Sequence, residues 1–240
     1  MACFGKRRDS DRRDSDRRLM IEDPHVRRKF IVKVLMIVAI NLLFTSLIAS
    51  IVVFYRPARR FFRRHWWIFI PAFCVLTTIH ILLCYCQQLF RKSPIKFILL
   101  AIYVLAHTVL VCIIVSRYHP KLIFIAFGIC TIMVILLGIF AKFAPCDFTN
   151  CWIFVFVVSV LLMLLGLLAI FFKIMLVIYV AVGVFAYSMF LVIDLQLLIG
   201  GKTHRNEYDE EDYIIAALQI YHDIIELFKM LLICMGLLDI

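Results

Sequence analysis

The chain has 240 residues, of which 65% are hydrophobic and 18% charged, with a mean hydropathy of +1.01. A soluble globule usually carries about 45–50% apolar residues, so this excess excludes a soluble enzyme, a coiled coil or a disordered chain and leaves an integral membrane protein. Its spans must be helices, because the apolar runs far exceed the roughly 9–11 residues of a barrel strand and do not alternate. The net charge of +10 belongs to basic residues beside those runs, where it fixes topology and meets anionic headgroups, so no nucleic-acid partner is implied.

Residues 1–29 are hydrophilic and carry a tandem repeat, Arg7-Arg8-Asp9-Ser10-Asp11 and Arg12-Arg13-Asp14-Ser15-Asp16. Such a segment buries too little apolar area to offset its ordering entropy, so a disordered basic tail is expected. No small-residue cleavage site ends a short apolar core, which argues against a signal peptide. Ser10 and Ser15 each follow Arg-Arg-Asp and are candidate phosphorylation sites. The simpler reading is a solvated tail that orients the first span.

Residues 30–240 form the expected membrane domain. Six apolar segments follow the tail, near 30–54, 66–88, 95–116, 121–141, 152–172 and 174–199, each reaching the ~20 residues that cross a bilayer core. The gaps between them, including an Arg-rich loop over 55–65, carry prolines and charges suited to interfaces. Segments five and six are joined by almost nothing and predict a tight antiparallel hairpin. Gly200-Gly201 then ends a helix, and an acidic loop opens the next, with Asp209 and Asp212 spaced like a capping box. The seventh segment, 213–238, is long enough to span yet carries Gln219, His222, Asp223, Glu226 and Lys229.

With seven spans and the N-terminus cytoplasmic, Lys and Arg outside the spans number 16 on the cytoplasmic side and 8 on the other. The positive-inside rule therefore favours this orientation, although five arginines in 55–65 oppose it locally. Nine cysteines show no disulfide or zinc spacing and read mostly as small buried hydrophobes. Cys146 and Cys151 bridge only in an oxidising lumen, and Cys84 and Cys86 fit a weak palmitoylation pattern. Asn41, His80 and His107 stand singly in apolar helices, where interhelical hydrogen bonding is the usual role. Trp66, Trp67, Tyr55, Tyr118 and Trp152 read as interfacial belt residues.

The intramembrane charges carry the functional reading. A mid-bilayer carboxylate costs about 2.5 kcal/mol or several times that, so it normally faces other helices or water. Asp194 lies near the end of segment six and Asp223 near the middle of segment seven, where Gln219, Asp223 and Glu226 share a face. His222 and Glu226 at i, i+4 and Glu226 and Lys229 at i, i+3 allow local neutralisation. If segments six and seven pack together, the two aspartates meet, share a proton and titrate as a coupled pair. That makes a pH sensor and, with both protons off, a hard-oxygen site attractive to calcium, so a proton-gated cation path is expected. The alternative is structural, with Asp194 at the interface and Asp223 tied to His222 or a backbone amide. An intramembrane aspartyl protease would need Tyr-Asp and Gly-x-Gly-Asp; neither occurs, nor does any hydrolase elbow, zinc helix or phosphate-binding glycine loop, so no enzyme and no cofactor are expected.

The stretches Phe190-Leu-Val-Ile-Asp194-Leu-Gln-Leu-Leu-Ile-Gly-Gly-Lys202 and Glu211-Asp-Tyr-Ile-Ile-Ala-Ala-Leu-Gln-Ile-Tyr-His-Asp223-Ile-Ile-Glu-Leu-Phe228 closely resemble the C-terminal signature of the transmembrane Bax-inhibitor-motif family, lifeguard branch. Val26-Arg-Arg-Lys-Phe-Ile-Val-Lys-Val34, Lys142-Phe143 and Asp147-Phe-Thr-Asn-Cys151 extend the resemblance over residues 26–238. It implies a seven-helix transmembrane bundle around a semi-polar C-terminal helix, in endoplasmic reticulum or Golgi membranes. It also implies suppression of apoptosis, calcium as permeant or bound ion, and Asp194 and Asp223 as the pH-sensing pair. The sequence departs from the pattern at Leu195, where threonine is usual, at Glu226, where asparagine is usual, and at Ser93-Pro94, where His-Pro is usual. Segment two holds no acid or arginine to latch the aspartates, leaving His80 as a substitute. The resulting expectation is a multi-pass regulator of cell death that leaks calcium from an internal membrane, with Gln219, His222 and Glu226 beside the gate. The rival is a non-conducting scaffold that binds apoptosis-regulating membrane proteins.

Overall fold

A computed structural model describes residues 24–85, 90–91, 93–144, 148, 152–200 and 212–238. The repeat with Ser10 and Ser15, the Cys146–Cys151 pair and most of the acidic loop lie outside these residues. Every regular element among the described residues is helical: α1 Pro24–Phe54, α2 Arg56–Arg64, a 3₁₀ turn Trp66–Ile68, α3 Phe69–Tyr85, α4 Ile95–Val115, α5 Pro120–Phe143, α6 Trp152–Ala169, α7 Lys173–Ile199 and α8 Tyr213–Leu238.

Five helices are long and apolar enough to cross a bilayer on composition alone: α1, α4, α5, α7 and the Trp66–Leu83 unit containing α3. The apolar helix α6 is shorter, and α8 has the length but carries Asp223, Glu226 and Lys229. Burial explains how α8 tolerates them. It packs against α1, α4, α5 and α7 and is enclosed along almost its whole length, so it forms the axis of the bundle. The large apolar residues left exposed fall on the surrounding helices, which is the arrangement a lipid solvent requires. The hairpin expected between segments five and six is present, with α6 packed on α7 across a three-residue turn.

The first span begins at Pro24, six residues before the apolar segment. The larger correction concerns 55–65, expected as a loop, where Arg56–Arg64 is helical. Ala58 and Phe62 turn inward against the core, while Arg59 and Arg63 donate to the carbonyls of Ser116 and Tyr118 at the end of α4, at 2.6–3.1 Å. Guanidinium groups at a helix C-terminus satisfy its free carbonyls and its dipole. Two of the five arginines that oppose the charge rule are therefore committed to backbone. Trp66, Trp67 and Tyr55 are exposed as interfacial residues should be, while Tyr118 is half-buried, with its ring against Gly236 of α8.

Polar contacts set the position of α8. At its start Asp212 receives both Arg91 nitrogens at 2.8 Å, a bidentate ion pair, and the Lys33 and Lys96 ammonium groups lie over the Tyr213 ring at 3.4 and 4.7 Å. Deeper in the bundle the Tyr221 hydroxyl meets Thr45 Oγ1 at 2.8 Å, and Thr45 meets Thr108 at 3.1 Å, joining α8, α1 and α4. Both threonines also donate to carbonyls one turn back, at Asn41 and Val104. Gly183 lets α7 approach α8: a Cβ there would stand 3.0 Å from Met230 Sδ.

Two outcomes follow for stability in detergent. Tyr221→Phe and Thr45→Val each lower it by about 0.6–1.7 kcal/mol, the range of interhelical hydrogen bonds in membranes, and the double change costs less than their sum because both remove one bond. Thermal unfolding of the four proteins checks this. Gly183→Ala is tolerated because the Met230 side chain yields, whereas Gly183→Val destabilises by about 1–3 kcal/mol through overpacking.

Candidate functional site

Gly183 and Asp194 are eleven residues apart, three helical turns, so the residue that brings α7 close to α8 and the residue that carries the carboxyl share one face. The packing of α7 on α8 then brings the carboxyl groups of Asp194 and Asp223 side by side on the wall of one cavity. An ionised carboxylate only accepts hydrogen bonds, so a hydrogen bond between the two would require a proton on at least one of them. Asp223 is 4% exposed, and its Oδ2 finds no hydrogen-bond donor among the described residues.

Both carboxyl groups open on a cavity of about 1050 Å³ bounded by α3, α4, α6, α7 and α8. Its walls are mainly apolar and aromatic, among them Phe69, Phe73, Tyr179 and Tyr187, with Gln219, His222 and His80 as the other polar contributors. The opposite side of the bundle, between α1, α4, α5 and α8, encloses a second cavity of about 530 Å³ without an ionisable carboxyl or imidazole lining.

Beside the pair stands a cluster of rings from three helices. His80 of α3 and His222 of α8 have centroids 4.7 Å apart, and His107 of α4 lies 5.2 Å from His222 and 4.7 Å from Tyr103. His80 Nδ1 lies 2.9 Å from the Leu76 carbonyl and therefore donates to it, while its Nε2 faces the Tyr103 hydroxyl at 3.2 Å. With both nitrogens so occupied, the ring shares the aspartates' cavity without latching them. His222 Nδ1 and His107 Nε2 lie 3.3 Å apart, one donating and the other accepting. The interhelical roles expected of His80 and His107 are thus observed.

Glu226 has a different fate from its neighbours. Gln219, His222 and Asp223 line the cavity, but Glu226 is drawn aside into an ion pair with Lys229, with His107 Nδ1 4.0 Å from the same carboxylate oxygen. Lys229 is 7% exposed, so this is a buried pair one turn apart on the helix axis. The neutralisation expected from the i, i+3 spacing is present.

Tyr103, Tyr179 and Tyr187, and the placement of His107 against Glu226, were not predicted. Tyr103 and His107 are i, i+4 on α4, which marks a shared face, but nothing in one helix says which other helix that face meets.

Residues 27–239 match the family model described as "Inhibitor of apoptosis-promoting Bax1". The chain is 33% identical over 221 residues to "Protein lifeguard 3" of Homo sapiens, covering 90% of this chain and 70% of that protein, and 33% identical to its Mus musculus counterpart, covering 91% and 72%. "Protein LIFEGUARD 4" of Arabidopsis thaliana is likewise 33% identical, covering 89% of this chain and 86% of its own length. With the Bax-inhibitor model matched from the first turn of α1 to the end of α8, and lifeguard relatives aligned over the same extent, this chain belongs to the Bax inhibitor family and resembles its lifeguard members.

Proposed function

We propose that this protein is a pH-sensitive calcium leak of an internal membrane, with the Asp194–Asp223 pair as its gate, and that the leak restrains cell death by lowering the releasable store. The observation that carries the reading is the pairing of two carboxyl groups, from adjacent helices, on the wall of one cavity. While a proton is shared, the pair ties α7 to α8 and presents little charge. When the last proton leaves, two like charges face each other, and their repulsion favours separation of the helices. The same step exposes carboxylate oxygens, which are the ligands calcium prefers. Gln219 and His222 line the path beside them. The link to cell death rests on the family, whose description names inhibition of an apoptosis-promoting protein. The role needs no catalytic residue and no cofactor. The membrane we assign is endoplasmic reticulum or Golgi, with the N-terminus cytoplasmic.

Calcium efflux from dye-loaded proteoliposomes tests the gate. Over pH ~5.5–8, a window spanning the titration of a coupled carboxyl pair, the wild type shows pH-dependent flux, and Asp194→Asn, Asp223→Asn and the double variant flatten that dependence. Folded wild-type protein with no flux above empty vesicles at any pH would overturn the reading in favour of a non-conducting scaffold acting through protein partners. The topology has its own test, since seven crossings from a cytoplasmic N-terminus put Ile240 in the lumen. A glycosylation acceptor appended there is modified; an unmodified acceptor means that α8 re-enters instead of crossing.

A further inference from the structure

We propose that His107, His222 and Glu226 form a transition-metal site, with zinc as the ion whose chemistry they fit. This goes beyond the gate and does not rest on it. One nitrogen from each ring and one carboxylate oxygen lie within 4.8 Å of one another, contributed by α4 and by consecutive turns of α8. Two imidazoles and a carboxylate are a borderline-soft donor set that suits zinc or copper, unlike the all-oxygen set that suits calcium. In a tetrahedral zinc site with bonds of 2.0–2.1 Å, neighbouring donors stand about 3.3 Å apart. With the donor atoms no more than 4.8 Å apart, the edges of that tetrahedron close by at most roughly 1.5 Å, within the reach of the Glu226 side chain.

Two further observations point to a ligand. His107 is wholly buried, yet its Nδ1 has no hydrogen-bond partner among the described residues and is turned toward the Glu226 carboxylate at 4.0 Å. A buried polar nitrogen in that condition is costly unless something binds it. His222 also lines the 1050 Å³ cavity, which supplies an entry path and room for water as fourth ligand. Opposing the ion is the Lys229 ammonium group, paired with Glu226. A carboxylate can accept from lysine and ligate a metal at once, so Lys229 weakens the site without abolishing it.

The test uses the full-length, tag-free protein in detergent, stripped of metal and dialysed against zinc chloride. We expect one zinc per chain, and X-ray absorption showing imidazole and oxygen neighbours with no sulfur shell near ~2.3 Å. His222→Gln and Glu226→Gln each lower zinc affinity at least roughly tenfold, whereas Lys229→Met, which removes the competing cation, raises it. No zinc retained by the wild type above the detergent blank would overturn the proposal, and so would a sulfur shell, which would assign the ion to cysteines. The spectrum of the wild type decides even if a variant fails to fold. Either negative result leaves the calcium-flux comparison of the aspartate variants untouched.

Discussion

Everything in this bundle depends on placing a helix that carries Asp223, Glu226 and Lys229 along an axis from which lipid is excluded. On a lipid-facing helix, Asp223, Glu226 and Lys229 would each face hydrocarbon at a cost of several kcal/mol. The surrounding helices exclude lipid and offer polar partners, and Lys229 supplies one from α8 itself. Asp223 meets Asp194, Glu226 meets Lys229 and His107, and Tyr221 meets Thr45. The exposed apolar faces of α1, α5 and α6 are the counterpart of this arrangement: the lipid-facing surface is apolar because polarity is concentrated on the axis.

Such matching holds only if α8 cannot slide or rotate. Its first turn is pinned by the Arg91–Asp212 pair and the two lysines over Tyr213, its middle by the tyrosine–threonine contact, and its far part by Gly183 against Met230. A one-residue rotation turns a side chain by about 100° and would detach Asp223 from Asp194 while exposing Glu226. The contacts are spaced along the helix, so no single one carries the register.

The extent of α8, Tyr213–Leu238, was legible because its apolar run is bounded by acids and its polar residues recur at helical spacing. The meeting of Asp194 with Asp223 was legible only on the condition that α7 and α8 pack together, which the polar connection between them does not by itself decide. The helix at Arg56–Arg64 was missed because five arginines and a proline dominate the reading of that stretch, although Ala58 and Phe62 lie at the i, i+4 spacing of one buried face. His107 was recognised as polar in an apolar span but not as the neighbour of Glu226, since the facing of α4 toward α8 depends on the packing of the whole bundle. Glu226 shares a helical face with Asp223 in the sequence, yet it does not line the cavity, because Lys229 one turn on supplies an opposite charge.

The two carboxyl systems of α8 therefore differ in kind although they lie three residues apart. The contact of Asp223 with Asp194 holds only while a proton is present, because two carboxylates repel. Glu226 is held by Lys229, an opposite charge one turn on, and that contact needs no proton shared between two acids. The polar contact between α7 and α8 is thus at Asp194, while the ion pair on the next turn is internal to α8 and balances charge on that helix. Gly183 and Met230 lie about three and two turns from the carboxyls along their helices, so the α7–α8 seam has an apolar contact at one end and two carboxyls opening on the cavity at the other.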